Sequence, residues 1–128
     1  MKILLTLFVL LFSSSVFAEW TRVTQSVDGD VLYVDKRTVK IVGNTRYFYM
    51  LFDYVTPTSY GDLSDRTYRE IDCSSMMFRD LVKDYFRFPL GEGNPTEGSG
   101  QIKIPEWKYI KPDSIYGIMN NYVCKMQD

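Results

Sequence analysis

Two cysteines, Cys73 and Cys124, are the only ones in this chain of 128 residues, and the chain starts with the pattern of a secretory signal. Residues 3–12 are apolar except for one threonine, they follow a lysine, and small residues lead up to Ala18. The apolar run of about ten residues is shorter than the ~20 that a membrane-spanning helix needs. We therefore expect residues 1–18 to be a cleaved signal peptide and residues 19–128 to form a single exported domain.

The two cysteines predict one disulfide bond. Exported proteins mature in oxidising compartments, and two cysteines allow only one pairing. A Cys73–Cys124 bond would close a loop of roughly 50 residues and contribute about 4 kcal/mol in the chain-entropy description. Free thiols that serve catalysis or metal binding are the alternative, but the chain contains no histidine to activate a thiol.

No cysteine follows Ala18 to accept a lipid anchor, because the next residues are Glu19 and Trp20. We expect the mature protein to be soluble in the periplasm, released from the cell, or held at the surface by something other than its own lipid. After signal cleavage, no transmembrane segment is expected. An uncleaved membrane anchor is the alternative interpretation.

Alternating residues predict strands over much of the first part of the mature chain, at 20–26, 31–35, 45–54 and 66–73. Asp28-Gly29 supplies a hairpin turn, and Asp35 can cap a short helical turn up to Val39. The segment 45–54 is apolar on both faces, with Phe48, Met50 and Phe52 on one face and Tyr47, Tyr49 and Leu51 on the other. It is predicted to be a central strand covered on both sides, or one that leaves aromatic side chains open to a partner.

The rest of the chain is less regular until its end. Residues 76–88 fit helical and strand spacing about equally, the Gly- and Pro-rich segment 89–100 predicts a loop, and 102–110 predicts an extended or edge segment. Asp113 or Ser114 can cap a final helix. Five apolar residues of that helix form one stripe: Ile115, Ile118, Met119, Tyr122 and Val123. Strands followed by a helix predict an α+β fold, in which the disulfide fastens the helix to the sheet.

Composition and motifs argue against nucleic-acid binding, catalysis and metal binding. The formal charge is only −1, whereas a nucleic-acid partner would require a basic stripe. The pairs Asp62/Asp65 and Asp80/Asp84 could act as carboxylates do in glycosidases. Asp80 and Asp84 share a face under either strand or helical spacing, and for them we favour a solvated face. Asp28-Gly29-Asp30 begins like a calcium loop but lacks the distal ligands, so a turn is favoured. We expect no catalysis, no cofactor and no metal site.

A series of short marks runs in order through the mature chain, from Trp20 to Cys124. They are Glu19-Trp20-Thr21, Tyr33-Val34-Asp35, Asp53-Tyr54, Glu70-Ile71-Asp72-Cys73, Phe78-Arg79, Trp107, Ile110-Lys111-Pro112, Ser114 and Cys124. Their order and spacing resemble the surface-adhesin protein E family of Gram-negative bacteria. The resemblance implies a small antiparallel β-sheet with a C-terminal α-helix, closed by the Cys73–Cys124 bond. It also implies that residues 76–88 form a strand, and that the protein binds host extracellular-matrix or serum proteins.

The leading functional hypothesis is a non-catalytic exported binding module with a protein partner. It would use an apolar or tyrosine-rich sheet face, with Tyr47 and Tyr49 as candidate residues, or an edge strand that the partner extends. Such a face could equally form a homodimer interface. The alternative is a periplasmic structural, stress-related or enzyme-inhibitor protein with no host contact. Trp20 and Trp107 are expected in the core rather than at a binding surface.

Overall fold

The computed structural model describes residues 19–127, so the predicted signal peptide at 1–18 lies outside the described residues. This part of the chain forms a seven-stranded antiparallel sheet and one C-terminal helix, which confirms the predicted α+β fold. The strands are β1 (Trp20–Gln25), β2 (Val31–Asp35), β3 (Lys40–Val42), β4 (Thr45–Asp53), β5 (Ser64–Asp72), β6 (Met77–Phe86) and β7 (Gly100–Gln101), and the helix is α1 (Ile115–Cys124). Within residues 19–127, no helix has the length and apolar character needed to cross a bilayer.

The strands lie in the order β1-β2-β4-β5-β6-β7, and β3 is also hydrogen-bonded to β4. β2 and β3 share one side of β4, because β2 pairs with the second half of β4 and β3 pairs with the first. A 3-10 turn at Lys36–Thr38 joins them, and the Asp35 carboxylate accepts a hydrogen bond from the Arg37 backbone N–H as the sequence predicts. β3 was not expected, since three residues carry too little periodicity to be recognised.

One face of the sheet is covered by α1 and is called the helix face below. Its core is apolar and buried, and it consists of Leu32, Val34, Phe48, Met50, Phe52, Ile71 and Phe78 from the strands and Met119 and Val123 from the helix. The ring of Tyr116 on the helix lies 5.8 Å from that of Phe52. The alternation predicted for β4 thus supplies Phe48, Met50 and Phe52 to this core.

The terminal helix begins as predicted, because the Ser114 side chain accepts a hydrogen bond from the Gly117 N–H. The predicted apolar stripe is wrong at Ile118, which is 39 % exposed, whereas Asn120 is buried. The helix is rotated so that Asn120 faces the sheet, where its side-chain oxygen accepts a hydrogen bond from Arg69. A polar partner on β5 therefore takes a place that hydrophobic spacing assigned to an apolar side chain.

The Cys73–Cys124 disulfide is present, with 5.6 Å between the two Cα atoms. Cys73 directly follows β5 and Cys124 is the last residue of α1, so the bond fastens the helix to the sheet. Both cysteines of the described residues are paired, which confirms the predicted connectivity.

Residues 77–86 form a strand, as the family resemblance implies, but the strand contains a bulge. Tyr68 pairs with Val82 and Arg69 pairs with Asp80, so Leu81 is an extra residue with no pairing partner on β5. Asp80 and Asp84 therefore point to opposite faces rather than sharing one, as regular strand or helical spacing predicted. Nor are they solvated: their side chains are only 23 % and 15 % exposed, and each forms an ion pair with an arginine of β5.

The segment after β6 differs from its predicted layout. β7 lies at the end of the segment predicted as a loop. Residues 102–110, predicted to be extended or an edge strand, form no named strand but bond to β6 at two points: the Ile102 N–H donates to the Leu81 carbonyl oxygen, and Lys108 bridges to Phe78. Trp107 is 43 % exposed, so its assignment to the core is wrong, and Trp20 is half-buried. The Arg79 guanidinium lies 4.6 Å from the Trp107 ring centroid, which explains how a cation on β6 holds the indole at the surface.

Candidate binding face

Three tyrosines form a cluster on the face of the sheet opposite α1. Tyr47 and Tyr49 are on β4, and Tyr68 on β5 lies directly across from Tyr49. The ring centroids of Tyr49 and Tyr68 are 4.5 Å apart, and those of Tyr47 and Tyr68 are 6.4 Å apart. All three residues are half-buried. We call this cluster of Tyr47, Tyr49 and Tyr68 the tyrosine face.

Cationic side chains lie over two of these rings. The Lys40 ammonium is 6.0 Å from the Tyr47 ring centroid, and the Arg66 guanidinium is 5.8 Å from that of Tyr49. A cation near the face of an aromatic ring is attracted by the ring quadrupole. These contacts hold the long side chains close to the sheet and give the tyrosine face a charged border.

Glu70 joins the tyrosine face to the neighbouring strand. The Tyr47 hydroxyl donates to Glu70 Oε2 over 2.7 Å, and Arg79 Nε donates to Glu70 Oε1 over 2.5 Å. The hydrogen bond to Glu70, followed by desolvation, raises the pKa of Tyr47. Burial and then the neighbouring Tyr49 raise the pKa of Tyr68. The hydroxyl groups of Tyr47 and Tyr68 therefore stay neutral at physiological pH.

A turn covers one end of this side of the sheet. Leu51 is on the same side as Tyr49 but is fully buried, beneath the 3-10 turn at Pro89–Gly91 and beside Phe86. A Cβ built on Gly91 would lie 3.0 Å from Leu51 Cδ1, so the turn packs closely on it. The two predicted environments of β4 are thus both found: one face lies under the helix, and the tyrosine end of the other stays partly open.

The sequence identified Tyr47 and Tyr49 but missed the residues that surround them. Tyr68 and Glu70 alternate along β5, and that pattern shows that they share a face. Their place beside Tyr49 and Tyr47 depends on the register of β4 with β5, which is a long-range property. Lys40 lies on β3, a strand too short to be predicted.

The described residues offer little for metal chemistry. Across residues 19–127, no group of three or more His, Cys, Asp or Glu side chains is placed to hold a metal ion. The two aspartates of the predicted pair Asp62/Asp65 have different partners: Asp62 Oδ1 lies 3.7 Å from Arg87 Nε, and Asp65 accepts a hydrogen bond from Tyr54.

A comparison with known protein families identifies the family of this chain. The sequence profile of surface-adhesin protein E matches residues 20–125. The chain belongs to the surface-adhesin protein E family. The match covers the whole sheet, the disulfide and the helix, so the resemblance in the short marks is confirmed over the same span.

Two solved structures of protein E have a fold similar to that of this chain. The crystal structure of protein E from non-typeable Haemophilus influenzae is similar with a TM-score of 0.58 and 16 % identity, over 87 % of this chain and 78 % of that one. Crystal form II of Haemophilus influenzae protein E gives a TM-score of 0.61 at 16 % identity, over 86 % and 90 % of the two chains. At this identity the likeness shows a shared fold. A comparison with curated protein sequences finds no match.

Membership of the surface-adhesin protein E family indicates an adhesin-like binding module with a protein partner. It also indicates an exported protein. The family match names no ligand-contacting residue, so Tyr47 and Tyr49 remain predictions.

Proposed function

We propose that this protein is a non-catalytic exported adhesin that binds a host extracellular-matrix or serum protein through the tyrosine face. The observation that carries the proposal is the cluster of Tyr47, Tyr49 and Tyr68, stacked together and only half-buried on the side of the sheet without a helix. Tyrosine is enriched among the residues that dominate protein–protein binding energy.

The surroundings of the cluster support a protein ligand. The aromatic rings are at the centre, while Lys40 and Arg79 are charged and lie at the border; the buried Glu70 links Arg79 to Tyr47. Interfaces between proteins commonly have this arrangement of an aromatic core and a polar rim. Because the rings are already held by Glu70 and by one another, little side-chain freedom would be lost on binding.

The proposal includes a processing step. Removal of residues 1–18 on export would leave one domain at 19–128, with its disulfide formed in an oxidising compartment. The surface-adhesin family match supports display at the cell surface, and residence in the periplasm is the alternative.

Binding is tested with oxidised protein recovered after export of the full-length chain, using a panel of purified extracellular-matrix and serum proteins on a biosensor. We expect Tyr47→Ala and Tyr49→Ala each to weaken binding by on the order of tenfold or more. Tyr109→Ala is the matched control, because Tyr109 is a 60 % exposed tyrosine outside the tyrosine face. If the Tyr47 and Tyr49 variants bound as well as the control, the tyrosine face would not be the binding site.

Protease treatment of intact cells tests display. Digestion of the protein from outside supports the adhesin. Full protection would favour the periplasmic structural, stress-related or inhibitor role. Sedimentation of the purified protein distinguishes a homodimer interface: a dimer that dissociates on Tyr49→Ala would assign the tyrosine face to a second copy of this chain instead of a host protein.

A further inference from the structure

A cleft of about 700 Å³ opens on the helix face and includes none of the three tyrosines of the tyrosine face. Its floor comes from Tyr54, which follows β4, and from Lys83 and Tyr85 of β6. The Leu81 bulge turns Lys83 and Tyr85 to this face; Tyr85 consequently pairs with Asp65 and Lys83 with Thr67. Small-molecule sites commonly have volumes of about 300–1,000 Å³.

The floor is held rigidly by a buried carboxyl group. The Tyr54 hydroxyl donates to Asp65 Oδ2, and Thr67 Oγ1 donates to Asp65 Oδ1 over 3.3 Å. Asp65 is 2 % exposed, and this burial raises its pKa. The Tyr54 ring packs against Phe52, with 4.6 Å between the ring centroids, so the side chain is fixed where it lines the cleft.

The wall is held by a second set of contacts. Arg87 Nε lies 3.7 Å from Asp62 Oδ1, and the same guanidinium donates to the carbonyl oxygen of Tyr60. Thr96 Oγ1 donates to Asp62 over 3.5 Å, which ties the loop after β6 to the loop after β4. Asp62 and Arg87 therefore stabilise the wall of the cleft, and their opposite charges neutralise each other.

Two charged groups of the lining have no such partner. Among residues 19–127, no carboxylate lies within 4 Å of the Lys83 ammonium; Asp65 attracts it from farther away, and the centroid of the Tyr85 ring lies 5.8 Å from it. Glu97 is exposed and forms no ion pair or side-chain hydrogen bond within the described chain. Tyr60 is 80 % exposed and adds an open aromatic surface beside them.

We propose that this cleft binds a saccharide of one to three units that carries a carboxylate. Tyrosine rings offer flat apolar surfaces with a polar edge, which suits the C–H face of a sugar ring. Lys83 would pair with the sugar carboxylate, and Glu97 would accept from its hydroxyl or amide groups. An apolar ligand would instead strip water from both charges without replacing their hydrogen bonds.

The site is separate from the proposed adhesin surface, so the two can be tested independently. The full-length exported protein is titrated with 3′-sialyllactose and with lactose by NMR. We expect 3′-sialyllactose to bind about tenfold more tightly than lactose, as one charge-assisted hydrogen bond provides. Lys83→Gln should abolish that preference, and Tyr60→Ala should weaken both sugars.

Lys111→Gln is the matched control, because Lys111 is an exposed lysine outside both the cleft and the tyrosine face, and it should leave both affinities unchanged. Thermal unfolding of each variant verifies that the fold is intact. Absence of saturable binding by either sugar would overturn the proposal. Equal affinities for the two sugars, or a preference that survives Lys83→Gln, would overturn it as well.

Discussion

Asp80 and Asp84 lie on opposite faces of the sheet although they belong to the same strand. The bulge at Leu81 changes the side-chain alternation between them, so Asp80 pairs with Arg69 and Asp84 with Arg66. The Arg69 side chain is 3 % exposed and donates from Nε to Asp80 over 2.7 Å, whereas the Arg66 side chain is 37 % exposed. One bulge thus separates a buried ion pair under the helix from a more exposed pair beside the tyrosine face.

We expect Arg69→Met to destabilise the protein by about 3 kcal/mol, because it leaves Asp80 and Asn120 without their partner in a largely dry environment. Arg66→Met is the matched control, and its cost should be about 1 kcal/mol or less because the Arg66–Asp84 pair is more exposed. Urea denaturation of the oxidised proteins measures both. Equal losses would contradict the assignment of the Arg69 pair as the buried one.

The bulge also shows where prediction from this sequence stops. Regular alternation was sufficient for β2 and β4, because each places apolar residues on a buried face at every second position. Nothing in the sequence around Leu81 indicates that β6 has one residue more than its partner strand there. The bulge is defined by the pairing of β6 with β5, and without that register the residues at 80 and 84 cannot be assigned to their faces.

The helix illustrates the same limit. Ser114 and the disulfide were predictable because capping and cysteine pairing depend on local chemistry and on count. The burial of Asn120 was not, because its partner Arg69 lies 51 residues earlier in the chain. For the binding face, Tyr47 and Tyr49 followed from β4 alone, while Tyr68 required knowledge of the neighbouring strand.

Gly117→Ala is expected to destabilise the protein by about 1–3 kcal/mol. A Cβ at this position would lie 2.1 Å from the Lys111 carbonyl oxygen and 2.8 Å from Pro112 Cα, both backbone atoms. Helix propensity alone predicts the opposite, a gain of about 1 kcal/mol. Asn121→Ala in the same helix is the control and should change stability by about 0.5 kcal/mol or less. Chemical denaturation decides the sign, and a stabilised Gly117→Ala would rule out the close approach.

Loss of the disulfide should lower stability by about 4 kcal/mol in the chain-entropy description. The double variant Cys73→Ala/Cys124→Ala tests this, because the bond joins residues 51 positions apart. Urea denaturation in the presence and absence of a reductant is the measurement: the reductant should shift the wild type and leave the variant unchanged. Reactive thiols in unfolded, non-reduced wild-type protein would show that the bond does not form in the cell.

Asp65 should make stability fall as the pH rises. Burial is the main cause that raises its pKa, so above about pH 4 the folded state holds a proton that the unfolded state has released. Its contribution is complete below the unfolded pKa and is lost as the pH rises through the folded one. Asp65→Asn keeps an oxygen to accept from Tyr54 and stays uncharged, so it should be more stable than the wild type at neutral pH.

The pH dependence of Asp65→Asn is best compared with that of Asp72→Asn. Hydrogen bonds from Ser74 lower the pKa of Asp72, so its contribution has the opposite sign: it is present above the unfolded pKa and is lost as the pH falls through the folded one. Urea denaturation between pH 3 and 8 should therefore show that Asp65→Asn gains on the wild type as the pH rises, whereas Asp72→Asn falls behind it. Parallel curves for Asp65→Asn and the wild type would mean that burial does not shift this carboxyl group.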